Sequence, residues 1–145
     1  MLIHIYDSKK TIIIFMIRLK EILNQPQSGK PLKQVVFRGD DKPFTKFDAS
    51  FIGKATMTNT EGFWFSNSKE AAEFYGEHVR PFEITMRNPL VFTYDDFVKT
   101  THGPPHFARI AKQKGHDGVV IQNIVDGDRE SDVYCVWNVS QIKAL

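Results

Sequence analysis

Gly62-Phe63-Trp64-Phe65-Ser66-Asn67-Ser68-Lys69-Glu70-Ala71-Ala72-Glu73-Phe74-Tyr75 carries the plainest structural pattern in the chain. An aromatic run ends in Ser-Asn-Ser, and a helix opens at once. Ser68 suits an N-cap, because its oxygen can accept from the unpaired amides of the first helical turn. Glu70 and Glu73 lie in the early turns, where the helix dipole favours negative charge. Ala71 and Ala72 are small enough for the helix to pack close to a sheet. The reading is strand Phe63–Phe65, capped turn, helix Lys69–Tyr75, with hydroxyls and an aromatic ring around one concave spot.

Working outward, Val35-Val36-Phe37 reads as a short strand that runs into a charged turn, Arg38 to Pro43. Residues 12–24 suit a helix, closed by the polar break from Gln25 to Pro31. Residues 44–61 are polar with Phe44, Phe47, Phe51 and Ile52 as anchors, and Gly53 to Glu61 reads as a loop. A loop of that length is often functional. Val79–Met86 and Leu90–Phe92 are strands separated by the Asn88-Pro89 turn. Tyr94–Thr101 reads as a helix, and Gly103-Pro104-Pro105 as a break. Phe107–Lys114 is a helix closed by Gly115, a good C′ residue. Val119–Ile121 and Asp132–Trp137 are strands flanking the hairpin-type turn Asp126-Gly127-Asp128. Val139–Leu145 is a tail anchored by Ile142. Strands outnumber helices, which suits an α+β domain. The expected organisation is an N-terminal extension over residues 1–34 and one globular domain over residues 35–145.

Composition narrows the functional classes. A chain of 145 residues with 41% hydrophobic and 25% charged residues can build a core and is not a disordered segment. A net charge of +2 is too small to indicate nucleic-acid binding. Cys135 is the only cysteine, so an internal disulfide is excluded and a cytoplasmic setting is the default. The apolar run Ile12–Ile17 is far shorter than the roughly 20 residues of a membrane span. No small-residue cleavage site follows it, so it reads as a buried element and not a signal peptide. Met16 is an alternative start, which would make residues 1–15 dispensable.

Three places could carry chemistry. Arg38-Gly39 follows a strand: the guanidinium suits phosphate or ribose oxygens, and a glycine lets a ligand approach the backbone. Phe65-Ser66 puts a hydroxyl at a strand end, where it can bond a sugar hydroxyl or amide. Tyr75 offers an aromatic face. His102 and His106 are separated by two prolines and form no rigid pair, so they read as loop histidines. His116 reads as a packing residue. Asp126, Asp128, Glu130 and Asp132 lack the full calcium-loop pattern and read as a solvated turn. No metal site is expected.

These residues, in this order, resemble the NAD-binding core of ADP-ribosyltransferases. The resemblance is to the type found in polyvalent phage and mobile-element proteins. It extends from about residue 35 to the C-terminus. Lys46-Phe47-Asp48-Ala49-Ser50-Phe51-Ile52-Gly53 is similar to that family's FDxSxIG segment, Arg87-Asn88-Pro89-Leu90-Val91 to its xNPLV turn, Lys114–Ile121 to its KGYDGVI element, and Trp137–Lys143 to its closing FDPSQIK. The resemblance implies an α+β fold with a split mixed/antiparallel sheet and short flanking helices. It implies NAD⁺ as co-substrate, a macromolecular acceptor (a host protein in the phage setting) and release of nicotinamide. Arg38 then contacts a ribose or phosphate, the Gly39 backbone grips the nicotinamide amide, Phe65 and Ser66 line the nicotinamide ribose, and Tyr75 stacks. The family's usual third-motif Glu aligns with Val133, a departure. Asp132 is the expected catalytic acid, with Glu130 and Gln141 as the other candidates. A non-catalytic NAD- or protein-binding module and an NAD⁺ glycohydrolase are the rival readings.

Overall fold

Leu32–Asp40 forms one strand of nine residues, β2, paired along its whole length with His78–Met86, β4. Sequence reading expects the strand to stop at Phe37. It continues because Arg38 and Asp40, two residues apart on one face, neutralise each other, so the charged pair can stay in the sheet. The computed structural model describes residues 9–10, 12–13, 27–42, 46–53, 59–95, 103–126 and 129–145. Most of the expected helix over residues 12–24 and of the one beginning at Tyr94 lies outside them. So do residues 54–58 of the expected loop, His102 and the centre of the 126–128 turn.

Among the described residues, eight strands form one sheet, in the order β1-β5-β6-β7-β3-β2-β4-β8. The remaining strands are β1 Gln27–Ser28, β3 Phe63–Ser66, β5 Pro89–Thr93, β6 Gly118–Asp126, β7 Arg129–Val136 and β8 Ile142–Ala144. All neighbours are antiparallel except β5 and β6. A parallel pair needs a crossover, and helix α2, Pro104–Gln113, lies on it. Helix α1, Lys69–Glu73, follows β3. The mixed α+β sheet agrees with the expected fold class. The expected boundary at residue 35 falls inside β2, and β1 pairs with β5 ahead of it, so residues 27–28 and 32–34 belong to the sheet.

Strand alternation sends side chains to two cores. Phe63, Phe65, Val120, Tyr134 and Val136 join Val36, Phe82, Ile84 and Met86 on one face. Phe47 closes that face, its ring centroid 5.0 Å from those of both Phe63 and Phe82. Val119, Ile121 and Cys135 point the other way, beneath Phe107, Ala108 and Ala111 of α2. Each fully buried apolar side chain contributes roughly 1.5–3 kcal/mol relative to exposure. Burial pushes the Cys135 thiol up, so it is not a thiolate nucleophile at neutral pH.

The helix ends follow their caps. The Ser68 hydroxyl accepts from the Ala71 amide at 3.2 Å. Helix α2 begins three residues earlier than expected, because Pro104 and Pro105 occupy its first positions, which have no intrahelical use for an N–H. Gly115 ends that segment in the left-handed region, at φ 80°.

Three of the quoted motifs meet at one corner of the sheet. The Asp117 carboxylate accepts from the Arg87 and Asn88 amides at 2.6 and 2.8 Å. The Gln141 amide group donates to the carbonyls of Thr85 and Asp117 at 3.1 and 2.9 Å. Gln141 also forms a capping box with Asn138. It is therefore a structural tie. His116 bonds the Asn88 carbonyl at 3.1 Å through Nδ1.

Tyr134 yields a pH prediction. Burial, with the nearby Asp132 carboxylate, pushes its hydroxyl up to about 12. An unfolded chain loses that proton near pH ~10. Between these values the native state holds more protons than the unfolded state, so stability falls as pH rises. The urea midpoint should begin to fall near pH ~8.5, where the unfolded Cys135 thiol ionises, and fall more steeply from pH ~10 through about 12, and Tyr134→Phe should flatten the steeper part. An equally steep drop in Tyr134→Phe would assign the loss to other groups.

Candidate active site

The two parts of the sheet meet at a single strand pair, Phe37 with Ser66. Continued in register, Arg38, Gly39 and Asp40 would face Phe65, Trp64 and Phe63. They are not paired, because β2 and β3 diverge while β2 keeps β4 and β3 keeps β7. A cleft of about 390 Å³ opens in this wedge. That volume is toward the low end for small-molecule sites. The lips are Phe37–Gly39 on β2 and Trp64–Ser66 on β3, with Thr60 beside them. Tyr75 lies at the rim, 41% exposed. Pro104, Ile124 and Val133 contribute to the opposite wall.

Arg38 lines the cleft yet is only 1% exposed. Its Nε donates to both Asp40 carboxylate oxygens at 3.2 and 3.1 Å. Its Nη2 donates to Asp40 Oδ1 at 3.1 Å and to Asn59 Oδ1 at 2.7 Å. The guanidinium carbon lies 5.3 Å from the Phe47 ring centre, a cation–π contact. Arg38 thus fastens one lip of the cleft to the segment entering the other. Asn59 also accepts from Gly53 N through its carbonyl, at 2.6 Å. Sequence reading missed Asn59, since a loop asparagine carries no signal until the fold places it against a buried charge.

Gly39 owes its identity to α1. A Cβ built there would sit 1.9 Å from the Ala72 carbonyl oxygen. Close packing of the helix by itself requires the absence of a side chain here. The packing brings Ala72 and Tyr75 against the β2 lip. Ser66 is buried, and its Oγ accepts from the Ser68 amide at 3.0 Å. Among the described residues its hydroxyl proton has no acceptor, so it can donate to a ligand. Phe65 lines the cleft while its ring packs against Phe47 and Phe82. Trp64 is held as a wall by an Nε1 bond to the Thr60 carbonyl at 2.7 Å.

The chain matches the family described as ADP-ribosyltransferase in polyvalent proteins over residues 27–145. It belongs to that family. No curated protein and no solved structure matches it. ADP-ribosyltransferases use NAD⁺ as co-substrate, and the cleft fits its nicotinamide end in kind. It offers unpaired main-chain edges for an amide, a hydroxyl donor for a sugar and an aromatic ring at the rim.

Of the expected ADP-ribosyltransferase site residues, Arg38, Gly39, Phe65, Ser66 and Tyr75 all line this one cleft. Asp132 does not join them. It occupies the strand position next to Val133, which is in the cleft wall. Asp132 Oδ1 accepts from the Asn123 amide at 2.9 Å. Glu130 is exposed on the hairpin, outside the lining. No carboxylate lines the cleft among the described residues, and no cluster there could hold a metal. A backbone bond and the Ser68 hydroxyl hold the Glu70 carboxyl below its usual range, as befits the start of α1. The apolar wall residues were not legible in sequence, because they reach the cleft only through strand register.

Proposed function

We propose that the cleft binds NAD⁺ by its nicotinamide–ribose half and transfers ADP-ribose to a macromolecular acceptor, a host protein in the mobile-element setting. The position of the cleft carries the reading: it opens where the sheet divides, between the two segments that the family resemblance assigns to the dinucleotide. The main-chain edge at Gly39 takes the carboxamide, the Ser66 hydroxyl donates to the ribose, and the Tyr75 ring stacks on the cationic nicotinamide. Arg38 acts from beneath by holding the lip. The glycosidic bond between ribose C1′ and the ring nitrogen breaks. Nicotinamide leaves neutral with the bonding pair, the acceptor's nucleophile takes C1′, and the acceptor's proton goes to a base or to water.

The test is labelled NAD⁺ with host lysate, following nicotinamide and label on macromolecules. Label on a discrete acceptor is expected. Tyr75→Ala should reduce it roughly tenfold, since stacking on a cationic ring is worth on the order of 1–2 kcal/mol. Tyr75 is exposed enough that the variant should still fold. A discrete acceptor labelled equally by wild type and variant would remove Tyr75 from the site. Nicotinamide release without label would mean a glycohydrolase. A second reading, a module that binds NAD⁺ without turnover, draws on Val133 at the usual Glu position. It also draws on the lack of a lining carboxylate among the described residues. Binding without nicotinamide release would select it.

A further inference from the structure

The cleft wall contains an irregularity that has a cause on the neighbouring strand. β6 and β7 pair in register up to Ile121 with Val133, and resume at Ile124 with Ser131. β6 therefore carries one extra residue, a bulge. Asn123 sits in it at φ 60°, a left-handed conformation that asparagine tolerates better than most residues. Past the bulge the register resumes, with Ile124 opposite Ser131 and Val125 opposite Glu130, and both residues line the cleft. An extra residue of this kind shifts every following position of its strand, so the bulge sets where Ile124 and Val125 fall along the wall.

Asp132 lies opposite the extra residue. Its Oδ1 accepts from the Asn123 amide at 2.9 Å, which supplies that amide with a partner where the ladder is interrupted. Asp132 is itself held by its main chain: its amide donates to Asn67 Oδ1 at 3.0 Å, and its carbonyl accepts from the Asn67 amide at 3.1 Å. Asn67 lies between Ser66 and Ser68. One connection therefore runs from the Ser66 lip through Asp132 to the bulge in the wall.

We infer that Asp132 is a positioning residue, whose carboxylate fixes the Asn123 bulge and with it the register that brings Ile124 and Val125 to the cleft wall. The role rests on reading the cleft as the NAD⁺ site. It asks for an acceptor oxygen and not for a charge, which separates it from the acid role expected from sequence. Asparagine supplies that oxygen, and alanine does not.

The experiment compares full-length wild type, Asp132→Asn and Asp132→Ala in two measurements: amide hydrogen exchange at Asn123, and KM and kcat for NAD⁺ by nicotinamide release. Asp132→Ala should speed Asn123 exchange about tenfold or more and raise KM severalfold, with kcat changed less, since a lost bond of about 1.4 kcal/mol is a factor of ten. Asp132→Asn should restore both readouts to within about twofold of wild type. Loss of kcat in Asp132→Asn with Asn123 still protected would overturn the inference and make the carboxylate catalytic. Unchanged Asn123 exchange in Asp132→Ala would also overturn it. If wild type neither binds nor cleaves NAD⁺, the functional reading fails, and the exchange measurement alone decides whether the latch exists.

Discussion

Asp40→Ala should lower the stability of the domain by about 3–5 kcal/mol, the cost of removing the carboxylate from a buried ion pair. Arg38 is 1% exposed, and the Asp40 carboxylate is bonded to both its Nε and its Nη2. The Asn59 oxygen and the Phe47 face, which also contact the guanidinium, are uncharged. A loss of this size is a large fraction of the 5–15 kcal/mol that holds a typical domain together. Asp40→Asn should cost less, because an acceptor oxygen remains. Urea unfolding of the two variants checks the order. If Asp40→Ala unfolds within about 1 kcal/mol of wild type, the pair is no more than a surface salt bridge.

Gly39→Ala should damage the site and the fold together. The added methyl would lie 1.9 Å from the Ala72 carbonyl oxygen and 2.9 Å from its carbon, both main-chain atoms. A flexible side chain could swing aside, but a carbonyl inside a short helix cannot. Helix α1 would have to lift from β2, and Ala72 and Tyr75 would move away from the lip with it. Overpacking costs typically 1–3 kcal/mol and more against rigid backbone, so at least about 3 kcal/mol is expected here. Gly103→Ala is the control, since its added methyl meets nothing nearer than Pro105 Cδ at 3.6 Å. Thermal unfolding of both variants should separate them clearly. Similar midpoints would mean that α1 is not seated as described.

These residues also show how far sequence could be read. The segment from Phe63 to Glu73 was legible because its signals are local: an aromatic run, a serine cap and a helix that follows at once. Gln141, named among the candidate acids, caps its own turn and ties two carbonyls instead. Arg38-Gly39-Asp40 was misread as a turn. Charge and glycine favour a turn locally, and only Asn59, Phe47 and α1, distant in sequence, make a buried strand the better solution. Pro104-Pro105 read as a break, although prolines break a helix only beyond its first turn. The five motif residues Arg38, Gly39, Phe65, Ser66 and Tyr75 line one cleft, while the wall opposite them was hidden. Ile124 and Val133 reach it through a bulge and a register that a single sequence does not display. Asp132 was chosen for its charge and its neighbourhood, and its bond to Asn123 was invisible for the same reason.

The most direct measurement is an NAD⁺ titration of the isotopically labelled protein, followed by backbone amide chemical shifts. The shifts should concentrate at the amides of Phe37, Arg38, Gly39, Ser66 and Tyr75, on the two lips and the rim of the wedge. Saturating shifts confined to the corner built by Asp117 and Gln141, or no shifts at millimolar NAD⁺, would contradict the placement of the dinucleotide in this cleft.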